Sequence, residues 1–367
     1  MYLKNKNILI ISPESWGQNH VSKHHYAIEL SKNNKIYFLN PPSGYNEINY
    51  ISNSLIIIDY KPFFKGLRFL PPFLSGIIIR HEVTRLEQKL NTKFDIIWNF
   101  DSSRFFNLSY LSDRLRIVHI VDFYENFQLG PLSKTSDIGF CTSKFILKEI
   151  QKFNPKVFNI GHGVYLSGTY KNDKKPRVDE EFECHVAYVG NLSIKYIDWK
   201  IIYDLVRDNP SVAFYFIGPI GKSNIGNTES DNMYLNSLQL FKNTEFTGSV
   251  NSEEIIPILK GMDILLLIYK SQEYMEQLAN PHKVLEYLAT GKTIIASWTD
   301  EYQQHQTLLE MSDVNDKIPQ KFIEVVQNLD HYNSPEKQAA RIAFTEANTY
   351  DKKILQIEEL IQKHVRK

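Results

Sequence analysis

Cysteine is nearly absent from this 367-residue sequence: Cys141 and Cys184 stand far apart and show no metal-ligand spacing. That pattern excludes a disulfide framework and a cysteine-based zinc site, and it suits a reducing compartment. Net charge is also missing. The 42 basic and 42 acidic residues cancel, so no polyanionic partner is implied for the molecule as a whole. No apolar stretch approaches the roughly eighteen residues that a membrane-spanning helix needs. The opening run Ile8 to Ile11 stops at Pro13 and Glu14 and reads as a first strand, not as a secretion signal. There is no short repeat, no HExxH and no complete GxGxxG. Nor does a basic stripe with stacking aromatics dominate, so nucleic acid is not an expected partner. These absences point to a cytoplasmic protein.

What remains is ample apolar material. With 43% hydrophobic and 13% aromatic residues, the chain can bury two cores, and its length favours two domains. Strands are expected at 7–11, 35–39, 55–58, 95–98, 116–121, 138–141 and 157–160, with helices at 21–31, 82–90 and 144–152. A polar, charged stretch at 167–183 then breaks the alternation and reads as a linker. A second series follows, with strands at 186–189, 213–217, 244–246, 264–268 and 293–296. Its helices are expected at 199–207, 234–241, 253–260 and 322–329, and an amphipathic helix at 352–365 ends the chain. This alternation predicts an α/β fold of two Rossmann-like, doubly wound domains. The domains are expected at 1–165 and 184–345, with a linker at 166–183 and a tail at 346–367. Two such domains would set the carboxyl ends of both sheets across one cleft.

The stretch 280–297 is the richest in chemistry. Asn280 has the character of an N-cap, Pro281 suits a first helical position, and Gly291 stands where a left-handed end is expected. Val284, Leu285, Leu288 and Ala289 form an apolar stripe. Lys283, Glu286, Tyr287 and Thr290 fall at i, i+3, i+4 and i+7 on another side. A lysine in a first helical turn is placed to meet a phosphate, and a glutamate one turn on can accept hydrogen bonds from sugar hydroxyls. Glycine turns at Gly190-Asn191, Gly218 and Gly248 end three strands, where backbone N–H groups can approach a diphosphate.

In the first half, a strand runs out at Asp122, which places a carboxylate at the sheet's edge. Asp122, with Glu125 and His119 as alternates, is the candidate base; a helix-capping role for Asp122 competes with it. Trp16, His20 and His162 are candidates to contact an acceptor. His20 and His24 have chelating spacing, but no carboxylate accompanies them, and a hydrogen-bonded, partly buried His24 is the favoured reading. No metal is expected. Residues 62–80 interleave Phe63, Phe64, Phe69 and Phe73 with Lys65, Arg68 and Arg80, a composition that suits either a bilayer surface or a cover over the core.

In sequence order, "SKHHYAIEL", "VHIVDFYENF", "NIGHGV", "AYVGNLS", "FYFIGP", "EFTGSV", "ILLLIYK", "NPHKVLEYLATGKTIIAS" and "NTYDKKILQIEELI" give the chain a family likeness. It resembles bacterial GT-B fold glycosyltransferases of the family 4 and family 1 type, which build cell-surface polysaccharides. The resemblance implies a first domain that binds acceptor, a second that binds a nucleotide diphosphate-sugar, and a last helix that crosses back onto the first. It implies donor contacts from Gly190, Asn191, Gly218, Asn280, Lys283, Glu286 and Tyr287. The acceptor would be a glycan, free or lipid-linked; peripheral membrane contact through 62–80 rests on the composition of that segment alone. Two departures stand out. Many members carry two glutamates seven residues apart, and with Glu286 as the second the first position is Leu278. No Arg…Lys pair follows Gly190; only Lys195 is near. A base at Asp122 fits inversion at the anomeric carbon, whereas retention needs no such base. A UDP-N-acetylglucosamine 2-epimerase and a non-catalytic partner subunit are the alternative readings.

Overall fold

The computed structural model describes residues 2–17, 20–123, 128–166, 181–221, 229–275, 278 and 280–365. The chain forms two compact units, 1–163 with 350–367, and 164–349.

The first unit is built on an eight-stranded sheet. Its strands are β1 (Asn7–Ile11), β2 (Lys35–Leu39), β3 (Glu47–Tyr50), β4 (Leu55–Asp59), β5 (Ile96–Asn99), β6 (Leu115–Ile120), β7 (Ile138–Cys141) and β8 (Val157–Asn159). They lie in the order β3-β4-β2-β1-β5-β6-β7-β8, all parallel except the β3–β4 hairpin at one edge. Helices α1 (Ser22–Ser31), α2 (Pro72–Leu90), α3 (Leu129–Lys134) and α4 (Lys144–Gln151) connect them. The central strands are buried on both faces, as parallel strands covered by helices must be, which is why they read as short continuous apolar runs. Strand order reverses between β1 and β5, so the loops leaving those strands flank the crevice where such sheets take ligands.

The second unit holds a six-stranded, wholly parallel sheet of β9 (Cys184–Val189), β10 (Val212–Ile217), β11 (Thr244–Gly248), β12 (Ile264–Leu267), β13 (Thr293–Ser297) and β14 (Glu310–Ser312). The order is β11-β10-β9-β12-β13-β14, with its reversal between β9 and β12. Its helices are α5 (Trp199–Asp208), α6 (Glu229–Leu238), α7 (Ser252–Lys260), α8 (Lys283–Leu288), α9 (Ile318–Gln327), α10 (Leu329–Tyr332) and α11 (Pro335–Glu346). The Asp198 carboxylate caps α5 by accepting from the Ile201 N–H. The chain ends in α12 (Tyr350–His364), which packs on α1 and puts Tyr350, Ile357 and Ile361 into the core of the first unit.

Four sequence expectations shift. α2 begins ten residues earlier than its expected start at 82, because Pro72 opens it and its first turn, 72–74, is solvent-exposed. Strand β3 is largely exposed and carries no buried alternation to announce it. α6 and α9 each begin before their expected starts.

Candidate functional site

In the second unit, three glycine turns at the carboxyl edge of the sheet are laced side by side. The Gly190 N–H donates to Ile217 O and the Gly218 N–H to Gly248 O, each at 2.9 Å. Gly218 has φ 143°, and a Cβ added there would sit on the Gly190 carbonyl oxygen. The missing side chain of Gly218 is therefore consumed by loop-to-loop packing. Asn191 stiffens its own turn: its Oδ1 accepts from the Ser193 N–H at 2.9 Å, and Ser193 Oγ in turn accepts from the Gly221 N–H at 2.8 Å.

The helix after these turns departs from its expected form. His282, not Asn280, holds the N-cap position and makes no side-chain cap bond; α8 has only six residues. The first turn closes tightly instead, with the Val284 N–H on Pro281 O and the Leu285 N–H on His282 O. Asn280 lies upstream, partly buried. The expected polar face also divides. Lys283 and Glu286 are half-buried, whereas Tyr287 and Thr290 are in the interior. Tyr287 Oη accepts from the Val189 N–H at 2.8 Å, so this residue anchors the end of β9 where a ligand contact was expected. Thr290 Oγ1 bonds Tyr287 O at 2.6 Å and finishes the helix.

Lys283 remains at the turn. Its Cε lies 3.1 Å from the point where a Gly190 side chain would begin, and Tyr188 Oη lies 3.0 Å from the same point. Beneath them Tyr188 and Tyr269 bring their hydroxyls to 3.5 Å. Burial pushes the Tyr269 hydroxyl up to about 12, the charge of Glu286 adding to the effect and the Tyr188 hydrogen bond opposing it. The result is a lysine side chain and a bare glycine backbone beside buried, neutral tyrosines. Such a surface suits an anion with a polar organic body.

In the first unit, Asp122 is exposed just beyond the end of β6. Thr142 Oγ1 holds the turn by donating to Val121 O at 2.7 Å. Glu125 falls outside the described residues. His119 does not fit the role of a base. Strand alternation turns it inward among Tyr26, Trp98, Phe100 and Phe140, fully buried. Trp98 Nε1 donates to its Nδ1 at 3.4 Å. Burial, reinforced by the charges of His162 and Lys23, drives its pKa down to about 3. An imidazole walled in by rings cannot reach an acceptor hydroxyl.

Trp16 and His20 come together, with ring centroids 5.0 Å apart, and Trp16 also packs on His24 and Phe38. The backbone N–H of Trp16 donates to Asn40 Oδ1 at 2.8 Å. Desolvation in this cluster lowers the pKa of His20 and brings that of His24 to about 4. The His24 ring is bonded on both sides, to the Val21 N–H and to Ser15 O. His162 is buried and acts electrostatically on His119. Among the described residues no group of three His, Cys, Asp or Glu is arranged to hold a metal.

Two features carry no sequence motif. Arg104, after β5, bonds Ser12 O (2.5 Å), Asn40 O (3.0 Å), Tyr60 Oη (3.0 Å) and the Asp101 carboxylate, tying together the loops that leave β1, β2, β4 and β5. Lys23 pairs with Glu14 at 2.7 Å beside the first loop. Arg104 could have been suspected only as a basic residue just past a strand's carboxyl end.

Two Rossmann-like units of parallel sheet, the second with its glycine turns beside a lysine-bearing helix, make up the GT-B fold, and this chain has it. Sucrose-phosphate synthase from Thermosynechococcus elongatus is similar over 98% of this chain and 99% of its own, with a TM-score of 0.69 and 11% identity. HepE from Anabaena, solved with UDP-glucose, is similar over 98% and 100%, with a TM-score of 0.66 and 11% identity. The trehalose-6-phosphate protein from E. coli, solved with UDP-2-fluoro glucose, covers 97% and 99% at a TM-score of 0.69 and 9% identity. At these identities the likeness establishes the fold. No protein-family model matches the sequence, and no curated protein sequence does.

Proposed function

We propose that the protein is a glycosyltransferase that moves a sugar from a nucleotide diphosphate-sugar to a hydroxyl of a glycan or lipid-linked glycan in surface polysaccharide synthesis. The observation that carries this reading is the meeting of the Lys283 side chain with the Gly190 turn, its Cε 3.1 Å from where a Gly190 side chain would begin. HepE, of the same fold, was solved with UDP, with UDP-glucose and with UDP and glucose, which supports a nucleotide-sugar donor. In this reading the Lys283 ammonium and the N–H groups of the glycine turn stabilise the departing diphosphate, so no metal is assigned to that task. Glu286 receives sugar or nucleoside hydroxyls. Asp122, exposed at its sheet edge, takes the acceptor's proton. The reaction is placed at the cytoplasmic face of a membrane, with residues 62–80 in peripheral contact.

Lys283→Ala tests the donor assignment. Transfer should fall by about a hundredfold or more, the scale for loss of a group that stabilises a developing negative charge. Thermal unfolding should stay unchanged, while nucleotide diphosphates should no longer raise it. Near-normal transfer in the variant would refute the assignment. So would a converted nucleotide sugar formed from donor alone, which would indicate isomerisation. Transfer is also expected to survive a chelator; loss of activity restored by a divalent cation would reassign the diphosphate's counter-charge.

A further inference from the structure

The first unit contains a cavity of about 540 Å³, lined in part by Tyr60 and Arg104, to which no donor or acceptor contact is assigned above. Its size falls within the roughly 300–1,000 Å³ of small-molecule sites. The walls are loops leaving the carboxyl edge of the sheet: Pro42 after β2, Tyr60 after β4 and Phe105 after β5. Leu67 of a short 3-10 turn and Ile78 and Ile79 of α2 close it.

The stretch of chain that lines it, 61–81, has two properties. Phe69 of its lining and the neighbouring Phe63, Phe73 and Ile77 stand 77%, 55%, 57% and 48% exposed within fifteen residues of chain. Phe73 and Ile77 are one turn apart, so α2 continues the apolar surface begun by the preceding loop. The same stretch is one-sided in charge. From 61 to 81 it carries Lys61, Lys65, Arg68 and Arg80 and no acid. Among the described residues none of these four pairs with a carboxylate, and Arg68 lies 4.8 Å over the Phe69 ring. Glu82, the one acid lining the cavity, accepts from the Phe63 N–H and pairs with Arg85, and Asp101 pairs with Arg104.

Exposed aromatics at this density cost water contact unless something apolar covers them. Uncompensated cations in the same stretch select what that is. A free soluble anion would satisfy the lysine and arginine but leave the rings wet and the cavity unfilled. A neutral apolar partner would leave the cations without counter-charge. An anionic lipid satisfies all three features at once. We propose that the first unit docks on a membrane leaflet with one hydrocarbon chain of an anionic lipid in this cavity, the lipid headgroup at Lys65 and Arg68, and Phe63, Phe69, Phe73 and Ile77 in the acyl–headgroup boundary. The inference deepens the peripheral contact proposed above and needs no sugar chemistry. Vesicle binding uses no donor, so failure here leaves glycosyl transfer standing.

The test uses the full chain and phosphatidylcholine vesicles with and without phosphatidylglycerol. Binding by co-sedimentation should require phosphatidylglycerol and weaken with salt. Lys65→Gln together with Arg68→Gln should lower it about tenfold or more, since each basic residue at an anionic surface contributes about fivefold. Phe69→Trp provides a fluorescent reporter, whose emission lipids brominated along their chains should quench. Ile78→Phe, which fills the cavity without altering charge, should weaken binding about tenfold and abolish that quenching, with circular dichroism showing the fold retained. Equal binding to both vesicles, no quenching, or Ile78→Phe binding like wild type would each overturn the proposal. Saturable uptake of a short-chain alkyl phosphate by the protein, without vesicle binding, would overturn the membrane docking.

Discussion

Gly218 shows how much one hydrogen in place of a side chain can decide. Its φ of 143° and the Gly190 carbonyl oxygen occupying the space of a Cβ leave no alternative residue. Gly218→Ala should destabilise the protein by about 3 kcal/mol or more, combining backbone strain with a clash that no rotamer relieves. Urea unfolding measures this directly. His119 makes a different residue-scale prediction. Unfolded, its imidazole titrates at the ordinary value of 6.5; folded, burial holds it at about 3. The folded state therefore binds fewer protons across that interval, and the stability from keeping the ring neutral is complete above about pH 6.5 and lost as pH falls towards 3. His24, folded at about 4, adds to the same slope. Melting temperature should decline from pH 6.5 to 4, and His119→Phe, which keeps a ring in the aromatic cluster, should flatten the decline.

Among the elements, α8 and β9 are coupled by one bond. Tyr287→Phe leaves the Val189 N–H buried without its acceptor, at a cost of about 1–3 kcal/mol. Because that N–H precedes the Gly190 turn, the variant should raise the KM for donor more than it lowers kcat. Equal effects on the two would assign Tyr287 a different role. The same elements show what the sequence discloses. Strands buried on both faces announce themselves as apolar runs, so both sheets were legible. Lys283 and the glycine turns were legible because each belongs to a local motif. The exposed β3 and the first turn of α2 were not, since burial pattern is the signal and they have little. Tyr188, Tyr269 and Arg104 matter through contacts reaching across 44 to 92 positions of chain, which no local spacing encodes. The face of α8 was misread for a related reason: helical periodicity separates sides, but only the neighbouring strand determines which side is interior.

At the scale of the molecule, the last helix belongs to the first unit. Glu358 accepts from the Tyr2 and Leu3 N–H groups, and Lys353 donates to Ile160 O, so the two ends of the sequence are joined. A Cβ on Gly163 would come within 2.6 Å of the Tyr350 ring, which seats the start of that helix. Truncation after Thr349 would remove Tyr350, Ile357 and Ile361 from the core, about 1.5–3 kcal/mol each. The total is comparable with the roughly 5–15 kcal/mol that holds a domain folded. Limited proteolysis of the truncated chain should therefore digest 1–163 while sparing 164–349; equal resistance of both would show that the helix is dispensable. Synthesis runs against this arrangement. The first unit leaves the ribosome early, but it cannot close its core until the final helix has emerged. At about 5–20 residues per second, the intervening 164–349 keep it waiting about 10–40 s. During that interval the nascent chain exposes an unfinished apolar face, and the segment made second is free to fold first.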